Sequence, residues 1–474
     1  MEFDKNKLQP RFISFFMQFW LSAFANSKTL FINCETQTVK RPALKTNSNY
    51  LLVFLFLFFV AELDLKAQLP DFVYKQNIRS IIFTRFADPY SYPVMALNSG
   101  DQFELNFDDM DNDLKNYYYT YQLCNADWTP STLFGFDYIK GFQNMRISTY
   151  RSSSISFTHY THYQAVVPDR NCVPSRSGNY LLKVFLDGDT SKIVFTRRFL
   201  VVNNKSSISA MIRQPMSSRL FQNYQKVVAG ITLNSELNVF NQQEVKVVIM
   251  QNYSWPNAIF LERPNIFHGN YFEYNDENST TFPAGKEWRW IDLRSLRLMT
   301  DRMQRIDKKA DVAEVYVKPD GDREKQPYMF YQDMDGLFYI GTIDNVNPYW
   351  QTDYAKVHFS FFPPGNRPFE GKNVYLYGAL TNYTPNDSSK MVFNEERGAY
   401  EKTLFLKQGY YDYSYITVPD NPTEDRFSYD NTEGNFWGTQ NSYMVLVYYR
   451  AYGSRADELI GYTSLSSMFQ RDIR

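Results

Sequence analysis

The sequence predicts an all-β protein built as a series of β-sandwiches, and three observations carry that reading. Apolar residues alternate with polar ones over short runs, as with Phe103, Leu105 and Phe107 against Gln102, Glu104 and Asn106, which is the period of a half-buried strand. Gly, Pro and Asp clusters separate the runs at hairpin spacing, with no sustained helical period. Aromatic residues make up 18% of the chain, carried by 37 Tyr and 40 Phe, which favour strands and broad packing surfaces. A length of 474 residues exceeds one ordinary domain, and about 100–200 residues per domain predicts roughly three. The net charge of −1 gives no global field to attract nucleic acid or anionic lipid.

In chain order, residues 1–67 read as an N-terminal extension and a signal peptide. Lys40, Arg41 and Lys45 precede the apolar run Leu51 to Val60, and a small residue, Ala67, stands before Gln68, giving an expected cleavage between Ala67 and Gln68. An uncleaved anchor is the alternative, although the run is short for a bilayer span and Glu62 and Asp64 follow it closely. About fifty residues precede the apolar run, so translation is expected to start later than Met1, leaving residues 1–45 outside the folded protein. Residues 68–205 form the first expected sandwich, with strands at Ile78–Phe83, Gln102–Phe107, Tyr117–Leu123, Tyr163–Val167, Tyr180–Leu186 and Ile193–Val202. The last two make the clearest hairpin, turning at Asp187-Gly188. Residues 206–345 form a second β-rich domain, with strands at Lys226–Leu233 and Glu244–Asn252. Its segment Arg294–Ala310 breaks the pattern and reads as a short basic helix or a loop; its six cations are either a solvated connection or a patch for an acidic partner. Residues 346–474 form a C-terminal sandwich, with strands at Ala355–Phe362, Val374–Tyr377, Tyr400–Leu406, Tyr410–Thr417 and Tyr443–Arg450.

Little in the chain points to catalysis. Four histidines (His159, His162, His268 and His358) leave little for acid–base work, and no nucleophile elbow, phosphate loop or dinucleotide fingerprint is present. Asp109, Asp111 and Asp113 mimic the start of a calcium loop, but Leu114 stands where the loop needs Gly and Thr120 where it needs Glu, so the segment reads as an acidic hairpin turn. Cys124 and Cys172 are able to pair in an oxidising compartment, yet two cysteines fix no fold. No catalytic, cofactor-binding or metal-ligating residue is nominated, and no cofactor is expected. The chain reads as a binding or structural protein.

Two resemblances follow from longer stretches. Residues Asn373–Ile416, with Tyr377, Gly378, Tyr383, Gly409, Tyr410 and Tyr413 at the matching positions, resemble early-set immunoglobulin-like domains related to glycogen-binding modules. That likeness implies tandem immunoglobulin-like sandwiches. It also carries the alternative function, a periplasmic or cell-surface glycan-binding protein with Tyr383 as its aromatic platform. More specifically, Leu97–Trp128, Thr129–Thr132, Phe136–Ser153 and Ser177–Val202, supported by Tyr377–Tyr383, Leu404–Ile416, Thr432–Arg450 and Asp457–Tyr462, resemble the type IX secretion system plug proteins. The resemblance covers Gln68 to Arg474. It implies a non-enzymatic periplasmic protein, peripheral at the inner side of the outer membrane, that seals the periplasmic opening of a giant outer-membrane barrel translocon. That barrel is the implied partner, with neither nucleic acid nor a small-molecule substrate.

The stretch after strand Tyr117–Leu123, CNADWTPS, fits no regular element. Trp128, Phe136 and Tyr138 there either pack a corner of the sandwich or face the partner, and the sequence leaves both open.

Overall fold

A computed structural model describes residues 69–308, 311–421 and 427–468. The expected cleavage site, Ala67 and Gln68, lies outside them. Among the described residues almost all regular structure is strand, arranged as three pairs of larger sheets with shared cores and one two-stranded ribbon of Ile139–Gly141 with Cys172–Pro174. No helix among the described residues is long and apolar enough to cross a membrane.

The first sandwich follows the alternation read from sequence. One sheet orders the strands Ile78–Arg85, Phe103–Asp109, Thr161–Val167 and Thr149–Ser152; the other orders Val94–Ala96, Ile193–Val202, Gly178–Leu186, Tyr117–Cys124 and Met145–Arg146. Phe103, Leu105 and Phe107 meet Tyr117, Tyr119, Tyr121 and Phe199 in the core between them. The predicted hairpin is present: Gly178–Leu186 pairs antiparallel with Ile193–Val202, and Asp187 and Gly188 take φ of 56° and 74° at its turn, the left-handed region that a tight hairpin needs. The acidic segment differs from expectation. Strands Phe103–Asp109 and Tyr117–Cys124 lie in different sheets, so Met110–Asn116 arches between layers and is not a hairpin turn.

Beyond residue 205 the sheets do not keep to chain order. The middle sandwich pairs a sheet of Ser206–Arg213, Tyr224–Leu233, Tyr271–Tyr274 and Ile266–His268 with a sheet of Ile259–Leu261, Val245–Gln251, Ser442–Tyr449 and Glu458–Ser466. Val245–Gln251 runs antiparallel to Ser442–Tyr449 in unbroken register from Val245↔Tyr449 to Gln251↔Tyr443. The third sandwich, from Arg289–Asp292 to Gly409–Pro419, is therefore inserted into the second, which corrects the expected boundary at 345/346. The physical reason is sheet completion: the C-terminal hairpin covers the open edge of Val245–Gln251, whose backbone groups would otherwise lack partners. Segment Arg294–Ala310, expected as a helix or loop, contains the edge strand Met303–Lys308. Its cations are mostly spoken for locally: Arg294 pairs with Asp292, Arg297 with Asp344, Arg302 with Asp320 and Arg305 with Asp307.

Seams join the sandwiches. Between the first and middle ones lies an apolar layer containing Trp128, Leu181, Leu200, Val248, Trp255, Met444 and Leu446. Between the first and third ones the seam is ionic. Asp108 Oδ2 accepts from Lys407 Nζ at 2.5 Å and from the Tyr354 hydroxyl at 2.6 Å, and Asp108 Oδ1 lies 2.7 Å from His162 Nδ1. Lys407 also donates to the Tyr349 carbonyl at 2.5 Å and sits 4.2 Å from the Tyr160 ring centre. Burial pushes the Asp108 pKa up, but Lys407 and His162 more than offset it and hold the carboxyl below its ordinary range. A third seam gathers three acids, the buried Asp335 and Asp412 and the half-buried Asp333, where the third sandwich meets Ser442. Asp412 Oδ2 accepts from the backbone N–H of Met334 at 2.6 Å, Asp333 Oδ2 from that of Trp288 at 2.6 Å, and Asp335 Oδ2 from the Ser442 hydroxyl at 2.6 Å.

Candidate functional site

The corner after strand Tyr117–Cys124 is built by backbone demands first. Asn125 N–H donates to the Thr129 carbonyl at 2.8 Å, Trp128 N–H to the Asn125 carbonyl at 3.0 Å, and Trp128 takes a φ of 67°. Asp127 Oδ1 accepts from Thr129 N–H and hydroxyl at 3.0 and 2.6 Å, which fixes the turn locally. Asp457, from the far end of the chain, accepts from Ala126 N–H at 2.9 Å, and Asn179 donates to the Asn125 and Ala126 carbonyls at 3.0 and 3.2 Å. The corner is thus tied down by its own turn and by two distant parts of the chain.

These ties decide where the three singled-out aromatics go. Trp128 is buried, edge-on to Trp255 at 4.9 Å, with the Arg198 guanidinium 4.8 Å from its ring. Tyr138 is buried against Tyr180 at 6.1 Å. Both belong to packing between layers, so the expectation that either faces a partner is corrected. Phe136 is the opposite case. It is 74% exposed and stacks on Phe134, itself 62% exposed, at 5.6 Å. Phe134 caps the single helical turn Gly135–Tyr138 and Phe136 lies within it, and Asp137 closes the turn by accepting from Phe134 N–H at 2.9 Å. The Arg455 guanidinium lies 5.9 Å from the Phe134 ring and bonds to the Thr132 carbonyl, bracing the base of the projection. Phe142, 65% exposed, is on the strand connection that leans on it: Gln143 Oε1 sits 2.2 Å from where a Cβ on Gly135 would be. A rigidly based, exposed aromatic projection is a surface suited to burial by another protein.

The other sequence candidates resolve as follows. Asp109, Asp111 and Asp113 have ligand oxygens mutually within 4.8 Å, but the Lys115 ammonium sits among them at 2.8, 2.5 and 3.1 Å. Burial disfavours that charge, and the hydrogen bonds Lys115 donates to the three carboxylates overcome it and raise the Lys115 pKa. His162 lies in the ionic seam while His159 is exposed, so the structure does not bring them together. Cys124 and Cys172 are both free and buried, and burial pushes each thiol up to about 12. Tyr383 is buried against Trp288 and Tyr377, its hydroxyl donating to the Asp335 carbonyl at 3.3 Å. It is a packing residue and offers no platform for a sugar ring. Phe134 and Phe142 were missed because a Phe in a loop carries no signal of the face it takes.

Together these features define a multi-sandwich β scaffold protein with an aromatic projection at one corner. Comparison narrows the class. Residues 78–203 match the family described as type 9 secretion system plug protein 1st domain, so this part of the chain carries the first domain of that family. A crystal structure of a hypothetical protein from Parabacteroides merdae ATCC 43184 aligns at a TM-score of 0.80 with 32% identity, covering 84% of this chain and 100% of that one. A match to Salmonella alpha-2-macroglobulin reacted with methylamine covers 83% of this chain and 33% of that one at 9% identity, and its TM-score of 0.17 carries no argument. No protein of curated function matches the chain.

Proposed function

We propose that this chain is a non-enzymatic periplasmic plug, exported by a signal peptide cut between Ala67 and Gln68. In this reading it closes the periplasmic mouth of the giant outer-membrane barrel of the type IX secretion system and lies peripheral to the inner side of the outer membrane. The observation that carries the reading is the match of residues 78–203 to the first domain of the plug family. The architecture supports it physically. Closing a wide pore needs breadth that does not flex, and the three sandwiches are joined by an apolar layer and by the buried Asp108–Lys407 pair. Breaking such a pair by losing one partner leaves a buried charge, typically at a cost of about 3–5 kcal/mol, so relative motion of the sandwiches is opposed. The barrel contact is assigned to the projection bearing Phe134 and Phe136. The glycan-binding alternative rested on Tyr383, which is buried.

Single-channel recording of the purified barrel, with and without this chain, tests the proposal. Addition is expected to abolish the open conductance, and Phe136→Ala to weaken that block with no loss of folding. An unchanged conductance on saturating addition of folded protein refutes the seal.

A further inference from the structure

A cleft of about 140 Å³ opens where the three sandwiches meet, with Ile82, Tyr92 and Arg197 from the first, Tyr253 from the middle one, and Phe338 and Asn382 from the third on its walls. Arg197 is the anomaly in it. By register it occupies a core-facing position: it pairs opposite Leu182 and alternates with Phe195 and Phe199, all three in the first sandwich's core. A cation placed there is costly unless an acid answers it. The neighbouring acid, Asp71, is already engaged by Arg198, accepting from its backbone N–H at 2.8 Å and from Nη1 at 2.7 Å. Arg197 makes one side-chain hydrogen bond, from Nη1 to the adjacent Thr196 carbonyl at 2.9 Å, and forms no ion pair among the described residues. The guanidinium lies 5.8 Å from the Phe195 ring centre, and Arg197 lines the cleft with most of its five donors unused by other hydrogen bonds among the described residues. Burial lowers its pKa, and Asp71 only partly opposes that.

The remaining walls combine aromatic and apolar side chains with the polar ones of Asp71, Thr84, Ser91, Arg198 and Asn382. Tyr92 and Tyr253 stack at 5.7 Å with planes 5° apart, and Phe338 is stacked on Tyr411 at 5.1 Å behind the opposite wall. The Tyr92 hydroxyl is fixed by the Trp255 indole N–H at 2.5 Å, so the pair is held in place from behind. An apolar cavity of about 150 Å³ accommodates a benzene ring, and a guanidinium fork prefers a carboxylate bound through both oxygens.

We infer that this cleft binds a carboxylate carried on a ring-sized apolar group, with the carboxylate on the Arg197 fork and the apolar body between the Tyr92–Tyr253 pair and Phe338. Such a ligand would touch all three sandwiches at once. The inference rests on the cleft alone and is independent of the plug reading.

Phenylacetate and its uncharged isostere phenylacetamide are the probes, titrated into the intact chain while tyrosine fluorescence and thermal midpoint are followed. Phenylacetate is expected to give a saturable change and a rise in midpoint, and phenylacetamide at least tenfold weaker binding. Arg197→Met, which suits a core-facing position, is expected to lose phenylacetate binding by a similar factor, and Arg85→Gln to keep it. Equal binding of the two probes to the wild-type chain overturns the inference without recourse to any variant, as does undiminished phenylacetate binding by folded Arg197→Met. A third probe, N-acetyl-Gly-Gly-Phe with a free carboxyl end, distinguishes sources: tighter binding than phenylacetate assigns the site to a chain terminus, weaker binding to a free acid.

Discussion

The acid seam at Asp333, Asp335 and Asp412 makes this protein's stability depend on pH in an unusual direction, and Asp412→Asn measures it. Burial raises Asp412 from the ordinary 3.8 to about 7, against the backbone bonds from Met334 and Gly336, with the Asp335 charge adding to the rise. Burial likewise raises Asp333 to about 8 and Asp335 to about 6. No Lys, Arg or His forms an ion pair with any of the three among the described residues. For a carboxyl whose folded pKa lies above its unfolded one, the native state binds the extra proton. Stability from that group is therefore full below the unfolded value and is lost as pH rises through the folded value. At about 1.4 kcal/mol per unit, holding Asp412 at about 7 rather than 3.8 costs the native state roughly 4 kcal/mol above that pH and roughly 1.5 kcal/mol near pH 5. Asparagine keeps an acceptor for Met334 and Gly336 and removes the ionisation. The difference in unfolding free energy between Asp412→Asn and wild type, from urea titrations, should therefore be larger by roughly 2–3 kcal/mol near pH 8 than near pH 5. Asp108, Asp320 and Glu433 work the other way. Burial alone would raise them, but their cations hold them below the ordinary range, so their stabilisation is lost only as pH falls below about 4. An equal effect of Asp412→Asn at both pH values refutes the reasoning.

Other perturbations address the seams and the corner. Lys407→Met strands the Asp108 carboxylate in the first–third seam and is expected to destabilise by about 3–5 kcal/mol; adding Asp108→Asn should recover much of the loss in the same urea assay. Trp128→Ala empties a site shared by two sheets and should cost about 3–5 kcal/mol, whereas Phe136→Ala, on an exposed ring, should stay within about 0.5 kcal/mol. The opposite ranking by denaturant titration would exchange the packing and surface roles of the two residues. Cys124 and Cys172, buried and with pKa values pushed up to about 12, should resist a thiol reagent near pH 8 and both react once the protein is unfolded; fast labelling of the native protein would contradict the burial.

Strand positions were legible because alternation and turn chemistry are local. Phe103–Asp109 and the hairpin about Asp187-Gly188 stand where the sequence places them. Sheet membership was not legible. Nothing in Ser442–Tyr449 says that it pairs with Val245–Gln251 rather than with the strands just before it, because register is a property of the pair. Strand Met303–Lys308 was obscured by its charges, which are what an edge strand carries to discourage further pairing. The corner was half legible. Its irregularity marked Cys124–Tyr138, but which aromatics face inward depends on Trp255 and Tyr180, far away in sequence.

The aromatic excess reads in the sequence as material for strands and broad packing surfaces. The structure buries many of its tyrosines, and their hydroxyls give the reason. Twelve tyrosines, Tyr354, Tyr413, Tyr415 and Tyr448 among them, are almost fully buried among the described residues, beside phenylalanines such as Phe103, Phe107 and Phe195. At the seams a sheet face meets another layer where water would have stood, so the polar residues of that face need donors that also fill volume. Tyr354 supplies one to Asp108 at 2.6 Å, Tyr413 and Tyr415 supply Asp320 at 2.8 and 2.9 Å, and Tyr448 supplies Asn179 at 2.8 Å. Phenylalanine would pack equally well and leave each acceptor short of a partner. The polar half of the Phe103–Asp109 alternation, where Asn106 and Asp108 are buried despite facing away from the first core, is the same effect seen from the other side. That face looks solvent-bound in sequence only because the sandwich covering it lies some 250 residues further along the chain.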